Sequence, residues 1–344
     1  MPSNYNLLTY TKYGIYCPEA DIFIDPRRPV ENAVITHAHS DHARRGHKKY
    51  IAHPLTVQVI RHRIGSGVNI APLDYGKIIN INGVNISLHP AGHIPGSAQV
   101  KVEYRGEVWV VSGDYKIEND GLTEPYEPVR CHNFITESTF ALPVYKWKKQ
   151  EDIFGEINSW WKANIRQGKL SILTGYSLGK AQRLFNNVDH SLGKILGHEE
   201  ITSINNLFIS AGLNLPPLET ITRKISRSEL TGALIIAPPS IIGHKGLVKL
   251  MPYSTGFASG WMLHGKGWSR RGTDIGFALS DHADWDGLNY AVKETGAENI
   301  YVTHGYAEVF VRHLNKSGYN AFELKKLGNE DTENQPKDTQ LNLF

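Results

Sequence analysis

Six consecutive positions, His37-Ala38-His39-Ser40-Asp41-His42, set three imidazoles and a carboxylate on one short stretch of backbone. In an extended segment side chains two apart point the same way, so His37 and His39 share a face. Asp41 and His42 can then turn toward a neighbouring site. Imidazole and carboxylate are ligands for Zn, Mn and Fe. A lone histidine is usually an ordinary core or surface residue; four such groups at this spacing point to a metal-dependent hydrolase with its ligands on a loop after a strand.

The rest of the chain has to build that scaffold, and its composition permits it. The 344 residues are 40% apolar and 21% charged, enough to bury one large core or two associated ones. A net charge of +3 carries no general signal for nucleic acid, and the basic clusters around Arg44, Lys48 and Lys148 read first as solvated surface. Two cysteines, Cys17 and Cys131, exclude a disulfide framework and a cysteine-based zinc ribbon. The opening residues carry no secretory pattern, and the longest apolar stretch, 233–242, is interrupted by Pro238 and Pro239. The expected location is cytoplasmic, with no membrane partner.

Residues 21–24 and 33–36 are short apolar runs, and Asn82-Gly83 and Arg105-Gly106 each separate two strand-like runs, the signature of hairpins. From 152 to 167 the pattern changes: Phe154, Ile157, Trp160, Trp161 and Ile165 recur at helical spacing and Gly168 stops it. A strand at 171–174, the turn 175–179 and a helix at 180–187 begin a strand–turn–helix alternation running to about 250. Strands of the earlier kind return at 274–279 and 299–303, as if an α/β unit had been inserted into a sheet-based domain. Residues 329–339 are polar and are expected to be a disordered tail.

The order of the chemical motifs resembles the metallo-β-lactamase fold, and within it the β-CASP nucleases. Asp25 follows the run 22–24; His37-x-His39-x-Asp41-His42 is the signature loop; Gly92-His93 and Gly113-Asp114 supply the next two motifs. Thr136-Glu137-Ser138-Thr139 resembles β-CASP motif A, Ser280-Asp281-His282-Ala283-Asp284 motif B, and Val302-Thr303-His304-Gly305 motif C. Tyr16-Cys17-Pro18, the block 35–45 and Ser259-Gly260-Trp261-Met262 look like the bacterial ligase-associated DNA-damage-response exonucleases. The implied fold class is α/β, an αββα sandwich with an inserted α/β cap: residues 1–140 and 273–328 form the metallo-β-lactamase domain, 141–272 the cap, and 329–344 the tail.

Carried over position by position, the resemblance implies two divalent metal ions, Zn or Mn, with Fe compatible. One takes His37, His39 and His93, the other Asp41, His42 and His304, with Asp114 bridging. Asp25 orients a ligand, His282 serves as proton donor, Glu137 holds it charged, and Asp41 belongs to the catalytic set. The implied activity is that of a DNA exonuclease acting in repair, with an ATP-dependent DNA ligase and a helicase in the same pathway. A β-CASP ribonuclease acting on RNA is the alternative, since His304 at motif C resembles the RNA-directed branches; a non-catalytic scaffold is the third reading.

Weaker signals remain. Tyr176, Ser177 and Lys180 stand where a turn feeds a helix, a place suited to a substrate phosphate, and Arg270 and Arg271 are candidates to line the cleft. Trp160 and Trp161 are expected to be core rather than base-stacking surface. The tail ends in Gln340-Leu341-Asn342-Leu343-Phe344, which looks like the peptide that docks bacterial repair proteins onto the DNA sliding clamp: Gln340, Leu341, Leu343 and Phe344 would fill its pocket.

Overall fold

The computed structural model describes residues 6–328, apart from 223, 224, 245, 246, 248, 249, 251 and 265–271. Its secondary structure sorts into three sheets. The first has six strands in chain order, Thr9–Thr11, Gly14–Cys17, Ile22–Ile24, Asn32–Val34, Lys49–Ala52 and Ile70–Pro72. The second has seven, in the order Asn320–Glu323, Asn299–Thr303, Asn133–Glu137, Glu107–Val111, Ala98–Tyr104, Val84–Pro90 and Ile78–Ile81. Both expected hairpins lie in this sheet, with Ile81 opposite Val84 and Tyr104 opposite Glu107.

Side-chain alternation decides which faces meet. Val84, Ile86, Leu88, Val100, Val102, Trp109 and Val111 point one way from the second sheet and pack against Ile15, Ile22, Ile24 and Val34 of the first. Val110 and Phe134, one position out of phase, point the other way and bury the apolar faces of helices Trp285–Thr295 and Ala307–Lys316. The outer face of the first sheet is covered by helix Pro54–Ile64 and, beyond it, Ile204 and Phe208 of helix Glu199–Ser210. The layers therefore run helix, sheet, sheet, helix, an α/β arrangement. Cys17 and Cys131 are free thiols inside it.

The third sheet is wholly parallel: Glu219–Thr220, Ile195–Gly197, Leu234–Ala237, Leu170–Thr174, Tyr253–Ala258 and Ile275–Phe277. Every residue of Leu170–Thr174 is buried, because a central parallel strand has both faces covered. Helices Gln150–Arg166 and Lys180–Asn187 cover one of those faces. Trp161 is fully buried there, donating its indole N–H to Gly232 O at 2.9 Å, and Trp160 packs on Phe277.

One strand departs from expectation. Ile275–Phe277 does not rejoin the sheet of Asn299–Thr303; it pairs in parallel with Gly256–Ala258 and closes the third sheet. An apolar run specifies a buried strand but not its neighbour, and the hydrogen-bonding edge nearest in sequence took it. The return to the first two sheets therefore comes after Phe277, not at 273. Among the described residues no helix is long and apolar enough to cross a membrane.

Candidate metal centre

Strand Ile22–Ile24 ends at Asp25, whose φ of 44° turns its carboxylate over the loop that follows Asn32–Val34. Asp25 Oδ1 accepts the Thr36 N–H at 2.8 Å. Its Oδ2 accepts the Thr36 hydroxyl at 2.6 Å and His42 Nδ1 at 2.7 Å. One carboxylate thus fixes both ends of the histidine loop.

The hydrogen-bond partners then settle which nitrogen of each ring is free. Thr36 gives its hydroxyl hydrogen to Asp25, so its oxygen accepts from His37 Nδ1 at 3.0 Å. His39 Nε2 lies 3.2 Å from the Leu178 carbonyl oxygen, and His93 Nδ1 lies 2.7 Å from that of Asp281. A carbonyl only accepts, so those nitrogens carry the hydrogens. What remains are three lone pairs, on His37 Nε2, His39 Nδ1 and His93 Nε2. His39 Nδ1 is 3.1 Å from each of the other two.

Burial, with the neighbouring histidines adding to it for His37 and His93, holds all three rings below the usual imidazole range, so they are neutral. Three converging lone pairs with no proton between them repel one another, and a cation is the partner that satisfies them. Tetrahedral Zn–N bonds of about 2.1 Å separate ligand atoms by about 3.4 Å, close to this spacing. The donor set fits a divalent metal.

Asp114 completes the group. It sits on the loop after Glu107–Val111, and Gly113 brings that loop against Thr36: with φ at 57°, an added Cβ would lie 2.7 Å from Thr36 Cβ. Asp114 Oδ2 is 3.5 Å from His37 Nε2, 3.8 Å from His93 Nε2 and 3.6 Å from His42 Nε2. Ligand atoms of His37, His39, His93 and Asp114 all lie within 4.8 Å of one another. On the other side of Asp114, Asp41 Oδ2 is 3.7 Å from His42 Nε2, and the His304 ring stands 6.0 Å from that of His42. Burial works against a charge on His42, but Asp114, Asp25 and Asp41 outweigh it and push its pKa up to about 10. That corner of the site favours positive charge, whether a proton or a metal ion carries it.

Glu137 ends its strand fully enclosed. Its carboxylate accepts the Tyr115 N–H at 3.0 Å and the Thr139 hydroxyl, and both oxygens face His282 Nδ1, at 2.9 and 3.1 Å. Burial opposes ionisation of Glu137, yet His282 and these donors hold its pKa below the usual range. For His282 burial disfavours the charge, and Glu137 and Asp114 overcome it, raising the pKa to about 9. Asp114, Glu137 and His282 also present ligand-type atoms within 4.8 Å of one another.

Lys180 does not face this cleft. It is buried, donating to Leu279 O at 2.6 Å and ion-paired to Asp281 at 2.8 Å, so the phosphate-holding role expected for it is withdrawn. A buried ammonium needs a carboxylate partner, and Asp281 takes it. Ser177 is partly exposed beside exposed Tyr176. Arg270, Arg271 and the tail peptide Gln340, Leu341, Leu343 and Phe344 lie outside the described residues. Sequence reasoning missed the acceptors that fix the rings: Thr36 and the Leu178 and Asp281 carbonyls. Thr36 adjoins the motif and was open to notice; a carbonyl leaves no trace in residue type.

A layered α/β fold with loop-borne histidines and carboxylates at the sheet ends agrees with the resemblance to the metallo-β-lactamase class. No protein-family model matches the chain. A protein named "Probable DNA ligase" from Opitutus terrae is 26% identical over 315 residues, covering 91% of this chain and 30% of that protein. The DNA cross-link repair protein SNM1 of Arabidopsis thaliana is 28% identical over 42% of this chain and 32% of its own length. Endoribonuclease YSH1 of Saccharomyces cerevisiae is 26% identical over 33% of this chain and 15% of its own. The chain thus spans about a third or less of these curated relatives. A solved protein of unknown function from Enterococcus faecalis shares the fold, with a TM-score of 0.58 at 10% identity over 86% of this chain and 80% of that one. These similarities fit the β-CASP nucleases of that class.

Proposed function

We propose that this protein is a metal-dependent phosphodiester nuclease, a DNA exonuclease acting in repair. The observation that carries the reading is the position of Asp114. The three-histidine group and the Glu137–His282 pair both reach its carboxylate, so metal ligands and a charged proton donor share one site.

His37, His39, His93 and Asp114 would hold one cation, and Asp41, His42, His304 and Asp114 a second, Zn or Mn. Such ions supply Lewis acidity to a phosphodiester oxygen and acidify water. The chain's own residues do the rest. Asp25 holds the histidine loop in register. His282 gives Nδ1–H to Glu137, which leaves Nε2 as the atom that hands a proton to the departing oxygen. A pKa raised to about 9 keeps that proton in place at neutral pH.

The name of the relative that covers most of this chain supports DNA as substrate and a DNA ligase as a partner in the same pathway. The endoribonuclease relatives and His304 support the second reading, a ribonuclease. We divide the chain into a catalytic domain and an inserted cap whose last strand is Ile275–Phe277. The tail residues Gln340–Phe344 are proposed to dock on a sliding clamp, and deleting them should abolish clamp binding while leaving oligonucleotide cleavage intact. Matched end-labelled DNA and RNA, single- and double-stranded, incubated with Mn or Zn, test the substrate. Preferential loss of DNA supports the reading, preferential loss of RNA selects the ribonuclease, and no cleavage under any metal selects the scaffold.

A further inference from the structure

Two of the acceptors that orient the metal-facing rings come from far outside the histidine loop. Leu178 lies in the turn after Leu170–Thr174, and Asp281 follows Ile275–Phe277. Both are held by one helix, Lys180–Asn187, whose first turn is buried although it is polar: Lys180 is 2% exposed, Gln182 0% and Arg183 1%.

Gln182 brackets the Leu178 peptide. Its Oε1 accepts the Gly179 N–H at 2.8 Å and its Nε2 donates to Ser177 O at 3.1 Å. With the residues on either side tied to one side chain, the Leu178 carbonyl is aimed at His39 Nε2. Gly179 sets how closely this turn approaches: with φ at 85°, an added Cβ would lie 2.2 Å from Ile94 Cγ2, next in sequence to His93. Lys180 and Arg183 perform the same service for Asp281. Lys180 Nζ reaches Leu279 O at 2.6 Å and Asp281 Oδ1 at 2.8 Å. Arg183 Nη1 reaches Ser280 O at 2.6 Å and Asp281 Oδ1 at 3.2 Å, and its other nitrogens are taken by Gln150 and Glu118. That segment's Asp281 carbonyl then receives His93 Nδ1–H.

We propose that helix Lys180–Asn187 is a positioning element of the metal centre, with Gln182 fixing His39 through the Leu178 carbonyl and Lys180 and Arg183 fixing His93 through the Asp281 carbonyl. Partners behind a ligand set its tautomer and direction, and losing one typically costs 10- to 100-fold in metal affinity. The consequence is that the three-histidine group is completed by the unit built on the third sheet. Metal affinity is then controlled by residues that touch neither metal nor substrate. The inference rests on the metal-centre reading above and adds to it.

The test uses full-length protein, stripped of metal and titrated with zinc against a chromophoric chelator. Gln182→Met, which keeps the side-chain length and removes both bracketing bonds, should weaken zinc binding 10- to 100-fold while the circular dichroism spectrum is unchanged. Equal affinity in wild type and variant overturns the proposal. Should the variant fail to fold, the wild type itself decides: nitrogen-15 NMR of zinc-loaded, histidine-labelled protein should find His39 protonated at Nε2 and His37 and His93 at Nδ1. His39 protonated at Nδ1 overturns the proposal. Wild type that binds no zinc overturns the metal-centre reading, and this proposal falls with it.

Discussion

Glu137 grips His282 with both carboxylate oxygens, at 2.9 and 3.1 Å from the same ring nitrogen, inside a pocket where only 2% of the Glu137 side chain meets solvent. In the function proposed above, a charge held this way serves proton donation. His282→Ala should therefore lower kcat by about 10²- to 10⁴-fold with the metals retained. Glu137→Gln should move the alkaline limb of the kcat profile from about 9 down toward the ordinary imidazole value of ~6.5. An unmoved limb would remove Glu137 from this role.

Asp114 is predicted to behave oppositely. Its Oδ2 faces His37, His42 and His93, so Asp114→Ala removes the carboxylate that the two proposed ligand groups would share. Bound metal, measured by elemental analysis after gel filtration, should fall from about two ions per chain to less than one. Retention of both ions in the variant would contradict the ligand assignment.

Asp25 carries the loop's internal order. Asp25→Ala orphans the Thr36 N–H, the Thr36 hydroxyl and His42 Nδ1 together. Urea unfolding of metal-free protein should show a loss of about 3 kcal/mol or more. A loss under 1 kcal/mol would mean that water replaces the carboxylate.

Away from the metal centre, His53 gives a pH signature. It caps helix Pro54–Ile64 and stacks on Tyr75, with ring centroids 4.0 Å apart. Burial lowers its pKa to about 4, against 6.5 when unfolded, so the folded state binds the proton less readily. Its contribution to stability is complete above pH 6.5 and is lost as pH falls toward 4. His53→Asn keeps a capping group but cannot titrate. The stability difference between wild type and variant should therefore decline in wild type's disfavour from pH 6.5 to 4, and a difference constant with pH would refute this.

The candidate group His37, His39, Asp41 and His42 was conspicuous in the sequence because metal chemistry demands specific residue types at close spacing. Hairpins at Asn82-Gly83 and Arg105-Gly106 were readable because turns have strict backbone needs. Helix Pro54–Ile64 was not, since Leu55, Val57 and Val59 alternate with polar residues as in a strand. Lys180 looked like a phosphate ligand because local pattern cannot reveal that Asp281, 101 positions away, folds onto it. The pairing of Ile275–Phe277 escaped for the same reason: partner choice is a tertiary property.

The central claim, metal-dependent exonuclease cleavage at the Asp114 site, is tested most directly by following linear and circular single-stranded DNA of one sequence with Mn or Zn. The account predicts that linear DNA is consumed from its ends while circular DNA survives, and that chelator or Asp114→Ala stops the reaction. Equal cutting of the circle, or no cleavage of either substrate with any divalent metal, would contradict it.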